Sequence, residues 1–499
     1  MRRILLASSA ACCLISACVQ FEDSTAAPDA AEPVDTAVPD TAVTDTDEAD
    51  TDETEDDGST DVPVVLGPVL GNNFGQAYAA PGVCGADMEF PIEFQGCPGV
   101  LDPPFWQQPV SALAGGMYSV QASCESSTAD AASGLHITFP YEDASSNVAM
   151  VWLTSAANTW TEVQFGTTPD NLDQFARGIS FQYDAIRLDG RRAHEARLCG
   201  LTPATTYFYR VGGGDTWSDV YTFTTAPARG SDEPFRIAVT GDSRNETQAL
   251  LGPALDGILS QDADLLLFTG DAVNIGTDQR EWDVFYEQGS ATAESDRFAS
   301  LPWIFVNGNH DLLGDPAWGL NAQPRNEQNF WHRYGNTVFI SLDDTGGFIT
   351  QELPGGGARD FLIEALEANT DARWRIVGHH KPMYSCGTRH GQDFGLLDEW
   401  APIFDQYNVD FVFNGHEHNY ERSAPLRANA RAANGTVYVV AAGIGAPLYD
   451  IESDCFWTEK ALKTPTYVIL DITADSISAT TYDLQGGVVD TFSRQASDR

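Results

Sequence analysis

Five short apolar runs punctuate the second half of the chain: Phe235 to Thr240, Leu265 to Thr269, Trp303 to Val306, Trp374 to Val377 and Phe411 to Phe413. Runs this short and this rich in β-formers have the pattern of strands buried on both faces. Between the first two, Leu250, Leu251, Leu255, Ile258 and Leu259 recur at near-helical spacing within Asn245 to Ser260. Arg359 to Asn369 repeats that pattern before the fourth run. Alternating strand and helix predicts a mostly parallel, layered α/β sheet, whose ligands gather at the carboxyl ends of the strands. Upstream, Leu135 to Phe139, Val148 to Leu153, Glu162 to Phe165 and Tyr207 to Val211 read as short strands separated by turn residues, an all-β sandwich.

A polar motif follows each of the five runs. In order they are Gly241-Asp242-Ser243-Arg244, Gly270-Asp271-Ala272-Val273-Asn274, Gly308-Asn309-His310-Asp311, Gly378-His379-His380-Lys381-Pro382-Met383-Tyr384 and Gly415-His416-Glu417-His418-Asn419-Tyr420-Glu421-Arg422. The leading glycine is expected to supply a sharp turn with φ values that a side chain opposes, aiming the next residue into a crevice. A single Gly-Asp pair after a strand is usually a turn or helix cap. Five motifs in register argue for one site, and five of the nine histidines fall inside them. In His416-Glu417-His418 the side chains alternate, so an extended segment cannot aim both rings at one ion; a loop, or two neighbouring ions, accommodates them.

These residues resemble the purple acid phosphatases within the calcineurin-like metallophosphoesterases. Gly415 to Arg422 is the most specific match, followed by the His-x-Pro-x-Tyr of His380 to Tyr384. Leu201 to Tyr207 resembles the turn of a fibronectin type III domain. The resemblance implies an α/β catalytic domain over 234–499, a layered β-sandwich flanked by helices, preceded by a fibronectin III-like sandwich over 134–228. It implies two metal ions bridged by Asp271, with Asn309, His380 and His416 on the second and Asp242 and His418 on the first. Such mixed donors suit Zn, Mn or Fe. His310 and His390 match outer histidines that contact phosphate and serve the leaving group. His379 is left as a supporting or outward-facing residue. The reaction implied is hydrolysis of phosphate monoesters by metal-activated hydroxide, with no covalent nucleophile, leaving Ser243 and Ser385 as turn residues.

Two positions depart from the family. Asn274 stands where the family has an iron-binding tyrosine; as a neutral, weaker candidate ligand it lowers any ferric preference and predicts a colourless protein. Arg244 stands where relatives have glycine or a metal-binding histidine. A guanidinium cannot ligate a cation; it either holds a phosphate oxygen or turns to a surface carboxylate.

The amino terminus has the form of a lipoprotein signal over 1–17: positive Met1-Arg2-Arg3, apolar Ile4 to Ile15, then Ile15-Ser16-Ala17-Cys18 with lipid on Cys18. An ordinary signal peptide cleaved after Ala17 is the alternative. Residues 18–63 contain a run, Phe21 to Asp61, without Lys or Arg; it carries about a third of the net charge of −45 and reads as an extended tether. Residues 64–133 form an extension without a readable pattern. Six cysteines remain, an even count that favours three disulfides in an exported chain. Proximity pairs Cys84 with Cys97, and Cys386 with Cys455 would staple two loops beside the site. The absence of a basic tract argues against nucleic acid and for small phosphate esters. The alternatives are a phosphodiesterase or nucleotidase with the same metals, and a non-catalytic surface binding protein. Specificity is expected in the loops Gly314 to Arg333, Thr345 to Gly357 and Ala446 to Glu459.

Overall fold

The computed structural model describes residues 130–182, 190–244, 248–290, 297–311, 315–345, 357–452 and 455–496, together with 65–66, 68–69, 92–94, 97–98, 100–101 and 119–124. All lie in one compact unit, Asp61–Arg499. The signal segment, Cys18, the acidic tether and Cys84 fall outside the described residues.

All five expected catalytic strands form, as Phe235–Thr240, Leu265–Phe268, Trp303–Phe305, Trp374–Gly378 and Phe411–Asn414. The first three run parallel at the centre of an eleven-stranded sheet, with Ile237 opposite Leu265 and Leu267 opposite Ile304. The other two lie in a seven-stranded sheet between Thr337–Ser341 and Val437–Ala441, again parallel. Side chains alternate between two cores. Ile237, Val239, Leu265, Leu267, Ile304 and Val306 meet Ile376, Phe411, Phe413 and Val439 between the sheets. Ala238, Leu266, Phe268, Trp303 and Phe305 face outward onto helices Gln248–Leu259 and Gln279–Ser290, through Leu251, Leu255, Ile258, Trp282 and Phe285. Val377 and Val412 likewise meet Ala358–Ala368 and Phe394–Tyr407, through Phe361, Leu366, Trp400 and Phe404. Burial on both faces is why these strands read as continuous apolar runs. The result is two sheets face to face with helices on each outer side.

The amino-terminal sandwich also forms, from Ser133–Thr138, Asn147–Ser155, Glu162–Gly166 and Thr206–Gly213 among others. Met150, Trp152, Val163, Phe165, Tyr209 and Val211 fill the space between its sheets. It is not a separate body. Thr138 pairs in parallel with Trp303, so the eleven-stranded sheet runs unbroken from one sandwich into the other. The Tyr209 hydroxyl donates to Ala299 O at 2.6 Å, and the His136 ring lies stacked on Tyr286 with centroids 3.9 Å apart.

The pairing of Cys84 with Cys97 is corrected. Cys97 bonds to Cys199, 102 residues away, with Cα atoms 5.2 Å apart. Closeness in sequence is outweighed by the sheet, which delivers Cys199 at the end of Arg191–Cys199. The Cys386–Cys455 staple forms as expected, Cα to Cα 6.1 Å.

Candidate metal centre and active site

The strand ends converge. Asp271, His380 and His416 bring ligand atoms within 4.8 Å of one another, and Asp242, Asp271 and His418 do the same. Asp271 belongs to both groups. Asp242 and Asp271 are buried carboxylates, an arrangement that like-charge repulsion opposes unless cations lie between them. Several donors have nothing else to do. Asp242 Oδ2, Asn309 Oδ1 and His380 Nε2 are buried without a hydrogen-bond partner. His380 Nε2 lies 3.3 Å from Asp271 Oδ1, and His418 Nε2 lies 3.3 Å from Asp242 Oδ1. The other ring nitrogens are fixed behind them: His380 Nδ1 is 2.8 Å from Thr269 O and His418 Nδ1 is 2.8 Å from Pro447 O. Backbone carbonyls behind the rings set the tautomer that presents Nε2 forward, as in protein metal sites generally. The donor set therefore fits two cations.

Local backbone geometry explains the motif spacing, with one change to the expected role of glycine. Positive φ falls at Gly270, but also on the donors themselves: Asp242 at 59°, Asp271 at 55° and His416 at 67°. Left-handed non-glycine residues store strain that the surrounding fold must hold, and they cluster at functional sites. Gly241, Gly308 and Gly415 serve close approach instead. A Cβ at Gly308 would lie 2.2 Å from Asp271 Oδ1, one at Gly415 2.4 Å from Asp242 Oδ2, and one at Gly241 2.2 Å from Thr269 Oγ1. In the fifth motif, Glu417 N donates to Gly415 O and Asn419 N to Glu417 O, both at 2.7 Å. These successive three-residue turns point His416 into one donor group and His418 into the other.

Electrostatics match. Burial alone would raise the Asp271 carboxyl, yet the His380 imidazole beside it holds it well below the carboxylate range. Burial opposes charge on His380, but Asp271 outweighs it and pushes the imidazole up to about 10. Burial and the neighbouring His380 drive His416 down to about 2, leaving a neutral ring with a lone pair. A cation held there would replace the proton on His380, because an imidazole ligates only in its neutral form.

The other expected residues are distributed around this centre. His310 donates its backbone N–H to Asp271 Oδ1 at 2.9 Å, and its Nδ1 lies 3.0 Å from Asn274 O, which leaves Nε2 available. The His390 ring sits 4.0 Å from the His416 ring, centroid to centroid. Asn274, the candidate ligand that departs from the family, is held by Arg244: its Oδ1 accepts Arg244 Nη2 at 2.8 Å and Nε at 3.3 Å. Arg244 thus has a neutral amide among its partners. His379 is buried rather than outward-facing: its Nδ1 lies 3.0 Å from Asp344 Oδ2 and its ring packs edge-on to Trp400. Ser243 Oγ donates to Ala272 O at 2.7 Å and Ser385 Oγ to Glu421 Oε1 at 2.6 Å, so both hydroxyls hold turns.

Three residues that sequence reasoning left without a role support the site. The Asp311 carboxylate accepts the backbone N–H groups of Asp271, Val273 and Gly308 at 2.7 to 3.2 Å, tying the second and third motifs together. Buried Glu417 accepts those of Arg389, His390 and Gly391 at 2.8 to 3.2 Å, holding the His390 loop. Tyr449 stacks on His418 with centroids 4.3 Å apart. Asp311 and Glu417 stand inside recognised motifs, one closing the third and the other between the two histidines of the fifth, which was the available signal; Tyr449 had none.

Comparison with known proteins agrees with this geometry. Residues 132–225 match the family described as purple acid phosphatase, N-terminal domain, and residues 235–420 match calcineurin-like phosphoesterase. An uncharacterized protein of Mycobacterium tuberculosis is 28% identical over 344 residues, 59% of this chain and 62% of that one. A phosphoenolpyruvate phosphatase of Allium cepa is 26% identical over 338 residues, 62% of this chain and 66% of that protein. The chain thus spans under two thirds of these relatives' length. Among solved structures, a purple acid phosphatase from yellow lupin seeds superposes with a TM-score of 0.61 at 19% identity, covering 73% of this chain and 74% of the other.

Proposed function

We propose that this chain, a purple acid phosphatase-like member of the calcineurin-like phosphoesterases, hydrolyses small phosphate monoesters with the help of two metal ions. The observation that carries the reading is Asp271, one buried carboxylate shared by two donor groups. Asp242 and His418 with Asp271 would hold the first ion; Asn309, His380 and His416 with Asp271 would hold the second. When bound, Zn, Mn or Fe(II) supplies Lewis-acid charge that acidifies water and offsets the charge of the phosphate.

The remaining chemistry belongs to side chains. His310, its ring fixed through Nδ1, offers Nε2 to a phosphate oxygen. His390, half-exposed beside His416, donates a proton to the departing ester oxygen. Arg244 adds positive charge at the rim from its seat on Asn274. With Ser243 and Ser385 committed to turns, no side chain is needed as a covalent nucleophile.

The decisive test is a panel of phosphate mono- and bis-esters assayed before and after chelation and metal restoration. Monoester hydrolysis that survives complete metal removal would refute the proposal; Asp271→Asn should abolish turnover. The reading extends to an exported, lipid-anchored enzyme of the cell envelope. Its support is the signal-like segment ending at Cys18 and the bonds Cys97–Cys199 and Cys386–Cys455, which persist in oxidising compartments. Cys18→Ala should release the protein from the membrane fraction, and equal partitioning of both forms would exclude the anchor.

A further inference from the structure

Two loops beside the centre are zipped together. Gly387 and Ile451 form an antiparallel bridge, Thr388 N donates to Asp450 O at 2.9 Å, and Glu452 N donates to Cys386 O at 2.8 Å. The Cys386–Cys455 disulfide closes the far end of the pair. The first loop carries His390. The second carries Tyr449, whose ring stacks on His418 at an interplanar angle of 18° and meets His390 edge-on, centroids 5.6 Å apart. Tyr449 N also donates to His418 O at 3.0 Å. No other ring among the described residues contacts both His390 and His418.

Glu417 secures the backbone of the His390 loop, but a half-exposed imidazole on a loop still needs lateral contacts to keep its ring in place. His416 supplies one such contact and Tyr449 the other. We propose that Tyr449 is a positioning residue for leaving-group protonation, and that the Cys386–Cys455 staple and the Gly387–Ile451 bridge keep Tyr449 against His390. The inference rests on the phosphatase reading and goes beyond it by assigning the two loops a share in leaving-group selectivity. In the step concerned, the ester P–O bond breaks as the ester oxygen takes a proton from His390. A P–O bond forms to a water oxygen whose proton passes to solvent, and His390 regains a proton from solvent. An aryl oxide of low basicity departs without that proton, whereas an alkoxide needs it.

The prediction is therefore a change in the ratio of two rates. The full zinc-loaded chain is assayed on p-nitrophenyl phosphate and on glycerol 2-phosphate, as wild type, Tyr449→Ala, Tyr449→Phe and the double variant Cys386→Ala/Cys455→Ala. Zinc affinity is measured by calorimetry for each. In Tyr449→Ala and in the double variant, kcat on the alkyl ester should fall ~10-fold further than kcat on the aryl ester, a fraction of a full general-acid contribution. Tyr449→Phe, which keeps the ring, should restore the wild-type ratio. Zinc affinity should fall by less than the roughly 10- to 100-fold that loss of a group orienting a metal ligand costs. An unchanged ratio, or equal losses on both esters accompanied by weaker zinc binding, overturns the inference, since the contact would then be purely structural. A wild-type protein inactive on both esters overturns the phosphatase reading itself, and this inference with it.

Discussion

Gly308→Ala tests whether the donors sit where the motif glycines allow them. The substitution adds one methyl group to a residue whose φ is ordinary, so no backbone penalty confuses the result. That Cβ would lie 2.2 Å from both Asp271 N and Asp271 Oδ1, against a comfortable contact of about 3.5 Å. Asp271 must move by roughly 1 Å, and a displacement of that size at reacting groups lowers rates by about 100-fold. Because Asp271 serves both donor groups, zinc affinity should fall at each site together. Gly252→Ala is the control: its Cβ meets only Arg297 Nη2 at 3.9 Å, inside the helix Gln248–Leu259. There alanine should leave turnover and zinc affinity unaffected, its helix-propensity gain over glycine being offset by the Pro253 ring, which crowds the Cβ of the residue before it. Calorimetric zinc titration and initial rates on an aryl phosphate read out both variants. A Gly308→Ala protein with wild-type zinc affinity and kcat would refute the reasoning, because the steric shell around Asp271 would then be absent.

Glu417→Ala strands three backbone N–H groups, so stability should fall by about 2 to 3 kcal/mol in urea, with faster hydrogen exchange across 389–391; unchanged exchange there would exclude its role. Arg244→Ala should raise KM by roughly tenfold if its charge assists phosphate binding, and unaltered KM and kcat would remove Arg244 from the site. Burial depresses His332 to about 3, so the folded state keeps this ring neutral while the unfolded chain charges it below its ordinary value of 6.5. The unfolded state then binds more protons, and this part of the stability, full above 6.5, is lost as pH falls toward 3. Between pH 7 and 5, His332→Phe should lose less stability than wild type, by up to about 2 kcal/mol; equal losses in the two proteins would show that the ring is not buried neutral.

Much of this protein is legible in its sequence because its strands are buried on both faces. Phe235 to Thr240 matches its strand to the residue, and the other four catalytic runs agree to within one. The same runs placed Asp242, Asp271, Asn309, His380 and His416 at neighbouring strand ends, since a parallel layered sheet gathers the carboxyl ends on one side. What failed to show is long-range. That the amide oxygen of Asn274 accepts from Arg244, thirty positions upstream, shows only in the fold. Cys97 reads as the partner of a nearby cysteine until the sheet delivers Cys199 beside it.

Local sequence therefore determined the strands, the helices between them and the residue types at each strand end, all of which depend on the period of apolar side chains and on neighbours a few positions away. The tertiary structure alone decided two things: that one sheet runs through both sandwiches by way of Thr138 and Trp303, and that Tyr449 reaches both His418 and His390. Each depends on contacts between segments far apart in the chain. Such contacts follow from how whole layers pack, and no local pattern of residues encodes them.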